Sequence, residues 1–166
     1  MIHQLLSPAK ALRTIRKTHA LLVDLLRGVS QEQAETLRDG ADGWSVLFVV
    51  CHLRDYEIIY RERIEAALTQ ERPTFTVVPN DELARRGAYA QQDLRAVLAD
   101  LGSRRAELIA RLEGLSDDQW RRQGIHPEQG PGTVLDMAIN VGLHDVDHLE
   151  QIARCLEPLR RAEGRG

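Results

Sequence analysis

The stretch Met137-Ala-Ile-Asn-Val141-Gly-Leu-His144-Asp-Val-Asp-His148-Leu-Glu-Gln-Ile152 decides how this chain is read. At about 100° per residue of helix, Met137, Val141, His144, His148 and Ile152 fall within one sector, so both histidines share the apolar, core-directed face. Histidines four apart on a helix have Cβ atoms about 5–6 Å apart. Two imidazoles so placed can reach one metal ion at about 2.0–2.1 Å each. Far upstream, the segment Trp44-Ser-Val-Leu-Phe48-Val49-Val-Cys51-His52-Leu53 leads into a second helical face made of Phe48, Val49, His52, Tyr56 and Ile59. His52, His144 and His148 together make a three-histidine set with coordination positions left open, the arrangement of a site that does chemistry. A lone inward histidine is ordinarily a core residue with a hydrogen-bond partner. Three of them each need such partners, at roughly 1–3 kcal/mol apiece if left without, and one shared cation satisfies all three.

Working outward, four long segments carry helical periodicity and none alternates as a half-buried strand does. The first opens at Ser7-Pro8, an N-cap with proline at the first helical position, and runs with Leu12, Ile15, His19, Leu22 and Leu26 on one stripe to Gly28. The second begins near Trp44-Ser45 and continues through Ile64 and Leu68 to Pro73. The third spans Tyr89 to Leu112 with Leu94, Leu98, Leu101, Leu108 and Leu112 inward, and the fourth runs from the cap Thr133 to Leu156, before Pro158. The pattern predicts an all-α four-helix bundle with essentially no sheet. Residues 1–158 are expected to form one domain, and 159–166 a flexible basic tail.

The chain also repeats itself weakly. Leu26-Arg-Gly-Val-Ser30-Gln-Glu-Gln33 resembles Leu112-Glu-Gly-Leu-Ser116-Asp-Asp-Gln119. Each places a Ser-x-x-Gln capping box after a helix-ending glycine, which predicts a short extra helix. A loop and then a His-Leu pair follow in both halves: His52-Leu53 and His148-Leu149.

With 28% charged residues and a net charge of -3, the chain lacks the basic face of a nucleic-acid binder. Two cysteines, Cys51 and Cys155, are too few for a disulfide framework. The N-terminus has neither a basic stretch nor a long apolar run, and no segment approaches the roughly 18–20 apolar residues of a membrane span. The expectation is a cytoplasmic protein with reduced thiols.

The remaining candidates are weaker. His19 interrupts the first apolar stripe, either as a core residue or behind the metal ligands. His126 sits in a loop from which it could reach a pocket. Cys155 shares the His148 face but lies two turns, about 10 Å, along the axis. Cys51 points about 100° away from His52 and reads as a small core residue. Arg105 lies near the centre of the third stripe, with Arg104 toward its edge. A buried arginine needs an anionic partner, either a protein carboxylate (Asp55, Glu57 or Asp145) or an acidic group of a substrate near the metal. The run His144-Asp-x-x-His148 also invites comparison with the His-Glu-x-x-His zinc peptidase helix. Against that, Asp145 is one methylene shorter than the glutamate base, and no histidine follows His148.

Taken in order, Trp44-Ser45…His52-Leu53, Leu115-Ser-Asp-Asp-Gln-Trp120, Gly132-Thr133 and His144-x-x-x-His148-x-x-Gln151-Ile152 resemble the DinB/YfiT-like superfamily over nearly the whole chain. The resemblance implies an up-down-down-up bundle, commonly a homodimer, with a divalent metal (Zn, Ni or Fe) held by residues matching His52, His144 and His148. It implies small-molecule chemistry. The expected function is transfer of a low-molecular-weight thiol to an electrophilic substrate, the alternatives being hydrolysis of an ester or amide and non-catalytic binding. The apolar segment Phe75-Thr-Val-Val78 is a candidate contributor to the dimer interface.

Overall fold

The computed structural model describes residues 6–163. In chain order its elements are α1 (Pro8–Leu25), α2 (Gln31–Thr36), α3 (Val46–Thr69), α4 (Asn80–Arg86), α5 (Leu94–Glu113), α6 (Asp117–Trp120), strands β1 (Gln123–His126) and β2 (Gly130–Thr133), α7 (Val134–Cys155) and α8 (Glu157–Glu163). Local chemistry sets most helix starts. Ser7 accepts the Lys10 N–H ahead of Pro8 in α1, and Ser45 accepts the Phe48 N–H at the head of α3. Ser30/Gln33, Ser116/Gln119 and Thr133/Asp136 form complete capping boxes for α2, α6 and α7.

The four long helices pack as a ring in which α1 touches α7 and α5, and α3 touches the same two. Side-chain partners fix the directions. Along α3 and α5 the ion pairs Arg54–Asp100, Glu57–Arg105, Arg61–Glu107 and Glu65–Arg111 rise together, so these helices are parallel. Thr18 meets Asp145, and Gly142 lies against Thr14, so α1 and α7 are parallel too. In contrast, His52 meets His144 while Tyr60 meets Asn140, which makes α3 and α7 antiparallel. The bundle is therefore up-down-down-up. Exchanging the two halves of the chain (α1 with α5, α2 with α6, α3 with α7) reproduces the same set of contacts, so the weak sequence repeat has a structural counterpart.

The apolar interior falls into two clusters. One includes Leu22, Leu53, Leu101 and Ile152; the other includes Ile15, Tyr60, Leu108 and Val141. Between them lies a buried polar layer to which every long helix contributes: Thr18, Glu57, Arg105 and Asp145. Arg105 Nε and Nη2 donate to Glu57 at 2.7 and 2.8 Å, and Nη1 and Nη2 donate to Asp145 at 2.8 and 3.0 Å. Nη1 also donates to the Ile15 carbonyl at 2.8 Å. Burial pulls the guanidinium pKa down, and the two carboxylates more than offset it, for a net rise. Burial raises Glu57 despite Arg105, as expected when two carboxylates share one cation out of water.

Three expectations are corrected. The connection from Arg121 to Gly132, expected as a loop, is not a plain one: β1 and β2 form an antiparallel hairpin, Gln123 opposite Thr133, and Ile125 exchanges backbone hydrogen bonds with Pro73 and Phe75. The third long helix begins at Leu94 rather than Tyr89, because the Asp93 side chain caps it and Tyr89–Gln91 form a separate 3-10 turn. Residues 159–163 lie in α8, where Arg161 pairs with Glu157 one turn earlier, instead of in a loose tail; 164–166 lie outside the described residues. No helix among the described residues is long and apolar enough to cross a membrane.

Candidate metal centre

His52 enters the site from α3, and His144 and His148 enter from the antiparallel α7, one turn apart. Their Nε2 atoms converge. His144 Nε2 lies 3.1 Å from His52 Nε2 and 3.2 Å from His148 Nε2, and one ligand nitrogen from each ring lies within 4.8 Å of the others. Nitrogens bound at about 2.0–2.1 Å to a tetrahedral ion sit about 3.3 Å apart. The two separations to His144 are thus within a few tenths of an ångström of what such an ion requires.

Protonation points the same way. His148 Nδ1 lies 2.8 Å from Gln151 Oε1. An acceptor there holds the ring proton on Nδ1 and leaves the Nε2 lone pair free. Burial, then His148 and His144, depress His52 to a pKa of about 3; burial, then His148 and Arg105, do the same to His144. Neutral imidazoles are the form a metal takes. Without a cation, His144 Nε2 cannot satisfy both neighbours, since one nitrogen donates at most one proton. The donor set fits a divalent ion.

Aromatic rings wall the cluster. Tyr56 stacks on His144 with ring centres 4.5 Å apart and leans on His52 at 4.4 Å. Trp44 stacks over His148 at 6.4 Å and tilts against His52 at 5.0 Å. These rings exclude water and fix the rotamers of the imidazoles. Trp44 and Tyr56 stood in the sequence beside the histidines without being recognised as walls of the site.

The other candidates lie elsewhere. Arg105 is corrected as a substrate-binding residue: both edges of its fork are taken by Glu57 and Asp145, and it is 2% exposed. Asp55, a third candidate partner, instead accepts from Arg54 and from the Tyr89 hydroxyl. Arg104 pairs with Asp100. His19 packs against Gly102 next to Arg105, outside the three-histidine cluster. Cys51 is fully buried, with its thiol pushed up to about 12 by burial. Cys155 is buried, its sulfur 3.8 Å from the Trp44 carbonyl. His126 ends β1 and lines a pocket with Tyr60 and Asn140. Phe75, expected at an exposed patch, packs against Gly124 and the core cluster that includes Ile15 and Tyr60.

A histidine cluster held between antiparallel helices of an up-down-down-up bundle defines a class of helical proteins with a three-imidazole centre. The chain belongs to the DinB superfamily, which residues 14–152 match. It is 28% identical over 152 residues to YfiT of Bacillus subtilis (strain 168), covering 87% of this chain and 83% of that protein. The solved structure of YfiT, a probable metal-dependent hydrolase with an unusual four-helix bundle topology, superposes with a TM-score of 0.83 at 22% identity, over 92% of this chain and 87% of YfiT. The mycothiol-dependent maleylpyruvate isomerase shares the fold with a TM-score of 0.76 at 15% identity, over 90% of this chain and 62% of the isomerase.

Proposed function

We propose that this protein is a metal-dependent enzyme acting on a small electrophilic substrate, with His52, His144 and His148 holding one divalent ion (zinc, nickel or iron) through their Nε2 atoms. The observation that carries the reading is the convergence of three imidazoles, with His144 Nε2 3.1 and 3.2 Å from the Nε2 atoms of His52 and His148. Bound there, the ion supplies a Lewis-acidic position that lowers the pKa of a bound thiol or water. The chain's own part is to orient His148 through Gln151, to wall the rings with Trp44 and Tyr56, and to keep His52 and His144 unprotonated.

The nucleophile we favour is a low-molecular-weight thiol. Glu57 and Asp145, the buried carboxylates nearest the cluster in sequence, are tied to Arg105 and are not free to take a proton from an attacking water. A thiol already deprotonated on binding needs no such base. The mycothiol dependence of a structural neighbour supports this reading. Hydrolysis is the second reading, favoured by the kinship with YfiT. In the same proposal the protein is a cytoplasmic homodimer.

Untagged protein is to be analysed for bound metal, then assayed with cellular thiols, mycothiol included, plus a chromogenic electrophile, and separately with a chromogenic ester. The expected result is one ion per chain and thiol-dependent turnover that disappears in His144→Ala. Equal rates in that variant would refute metal-assisted thiol transfer, and metal-dependent ester cleavage without thiol would install hydrolysis in its place. Unchanged metal stoichiometry in His148→Ala would refute the ligand assignment.

A further inference from the structure

A pocket of about 240 Å³ opens between α3, α7 and the β1–β2 hairpin, beside the histidine cluster. Its lining includes Tyr60, Arg63, Phe75, His126, Asp136 and Asn140. Asn140 is one helical turn before His144, and the Tyr60 ring centre is 6.0 Å from that of His144.

The lining brings three side-chain donors to one cavity, of which Arg63 carries a full charge. No carboxylate pairs with Arg63 among the described residues. Its Nε is buried without a partner, and its guanidinium carbon rests 5.6 Å from the centre of the Phe75 ring. His126 Nδ1 accepts the backbone N–H groups of Glu128 and Gln129 at 3.2 and 3.3 Å. Its proton is therefore on Nε2, which is a donor. Tyr60 accepts from Asn140 at 2.7 Å, which leaves the phenolic proton without an acceptor although the residue is 4% exposed. Asp136, the acidic member, already accepts the Thr133 N–H at 2.8 Å and the Thr133 hydroxyl at 2.6 Å. An unpaired guanidinium, an imidazole N–H and a phenol thus line one cavity, and among the described residues no carboxylate, Asp136 included, forms an ion pair with the guanidinium. Neutral and cationic guests leave that charge unmet. An anionic oxygen group meets it, and a planar carboxylate matches the guanidinium fork with two parallel hydrogen bonds.

We propose that this pocket binds a carboxylate of the substrate, making the substrate a small organic acid whose reacting end lies at the histidine cluster. The assignment rests on the metal-enzyme reading for its link to catalysis, but the pocket's preference for carboxylate stands independently of it. The volume is below the roughly 300–1,000 Å³ of pockets for drug-sized ligands, which limits the acid to a short chain.

The test is calorimetric titration of metal-loaded and chelator-stripped protein with succinate, succinamide and inorganic phosphate, with the His126 ring resonances followed by NMR. Succinate is expected to bind both forms and shift the His126 signals, whereas succinamide does neither. Arg63→Gln should weaken succinate about tenfold or more, with Arg63→Lys intermediate and His126→Ala a milder second loss. Arg63 is half-buried and its Nε has no hydrogen-bond partner to lose, so the Arg63 variants should stay close to the wild-type melting temperature. Equal succinate affinity in Arg63→Gln and wild type would overturn the proposal. So would succinate binding that vanishes with the metal and ignores Arg63. Phosphate binding as tight as succinate would overturn the carboxylate assignment. Arg63-dependent succinate binding alongside absent turnover by the metal-loaded protein would leave the pocket standing and reject the catalytic reading instead.

Discussion

Gln151 Oε1 lies 2.8 Å from His148 Nδ1, one turn further along α7, and so fixes which nitrogen of His148 carries the proton. Hydrogen-bond partners of this kind typically contribute about 10–100-fold in metal affinity. Gln151→Leu should therefore weaken metal binding by about tenfold or more while α7 stays folded. Competition against a chromogenic chelator measures it, and an unchanged affinity would mean that the ring is held by Trp44 alone.

Arg105 neutralises two buried carboxylates, and removing it strands both. Arg105→Met should destabilise the protein by about 3–5 kcal/mol, read from urea denaturation. Making Glu57→Gln and Asp145→Asn in the same chain should recover part of that loss. A single substitution costing no more than a surface change would show that the ionic layer is dispensable.

Gly124 is the seat of Phe75: a Cβ built there would lie 2.0 Å from Phe75 Cζ. Gly124→Ala should displace the ring and cost about 1–3 kcal/mol by overpacking. The Phe75→Leu background should tolerate the same alanine better. Thermal melts of the two single variants and the double test the coupling.

Stability should fall on the alkaline side. Burial, the first of its causes, raises Tyr60 to about 12, and burial together with donation to Asp55 raises Tyr89. An acid whose folded-state pKa is raised keeps its proton longer in the native state. The stabilisation is complete below the unfolded value near 10 and is lost as pH climbs from there to about 12, by roughly 2–3 kcal/mol for Tyr60. Phenolate absorbance of Tyr60 or Tyr89, read in a Tyr56→Phe background, developing near pH 10 while the protein is still folded would contradict this.

The homodimer is tested by sedimentation at micromolar concentration. Leu143 and Val146 on α7 are 57% and 51% exposed, and Leu21 on the neighbouring α1 is 57% exposed. Leu143→Glu should shift the expected dimer to monomer, and an 18.7 kDa species for the unmodified chain would exclude the dimer.

What the sequence disclosed is what local rules govern. Ser7-Pro8, Ser45, the two Ser-x-x-Gln boxes and Thr133 announce helix starts because a cap acts within three residues. His52, His144 and His148 were legible because the 3.6-residue period places them on apolar faces. The hairpin was hidden, since Gly124-Ile125-His126-Pro127 has no alternation and its strand character comes from pairing with Pro73–Phe75, some fifty residues away in sequence. The partner of Arg105 stayed ambiguous among Asp55, Glu57 and Asp145, because that choice belongs to the rotation of α3 against α5 and α7. Arg63 gave no sign at all: its significance lies in lacking a partner, which only packing reveals.

The ring order of the bundle also bears on how the chain comes to be folded as it is synthesised. The helices α1 and α3 sit across the ring from each other, so the first two long helices to emerge are not packed neighbours in the finished protein. The first adjacent pair, α3 with α5, forms only when α5 appears, and α1 gains its most extensive neighbour only with α7. Neither half of the chain, made alone, contains an adjacent pair of long helices, so neither can hold its core shut. Two of the three histidines arrive on that last helix. Until the closing helix docks, the nascent chain carries only one of the three clustered imidazoles, and the centre comes into being in the same event that completes the fold.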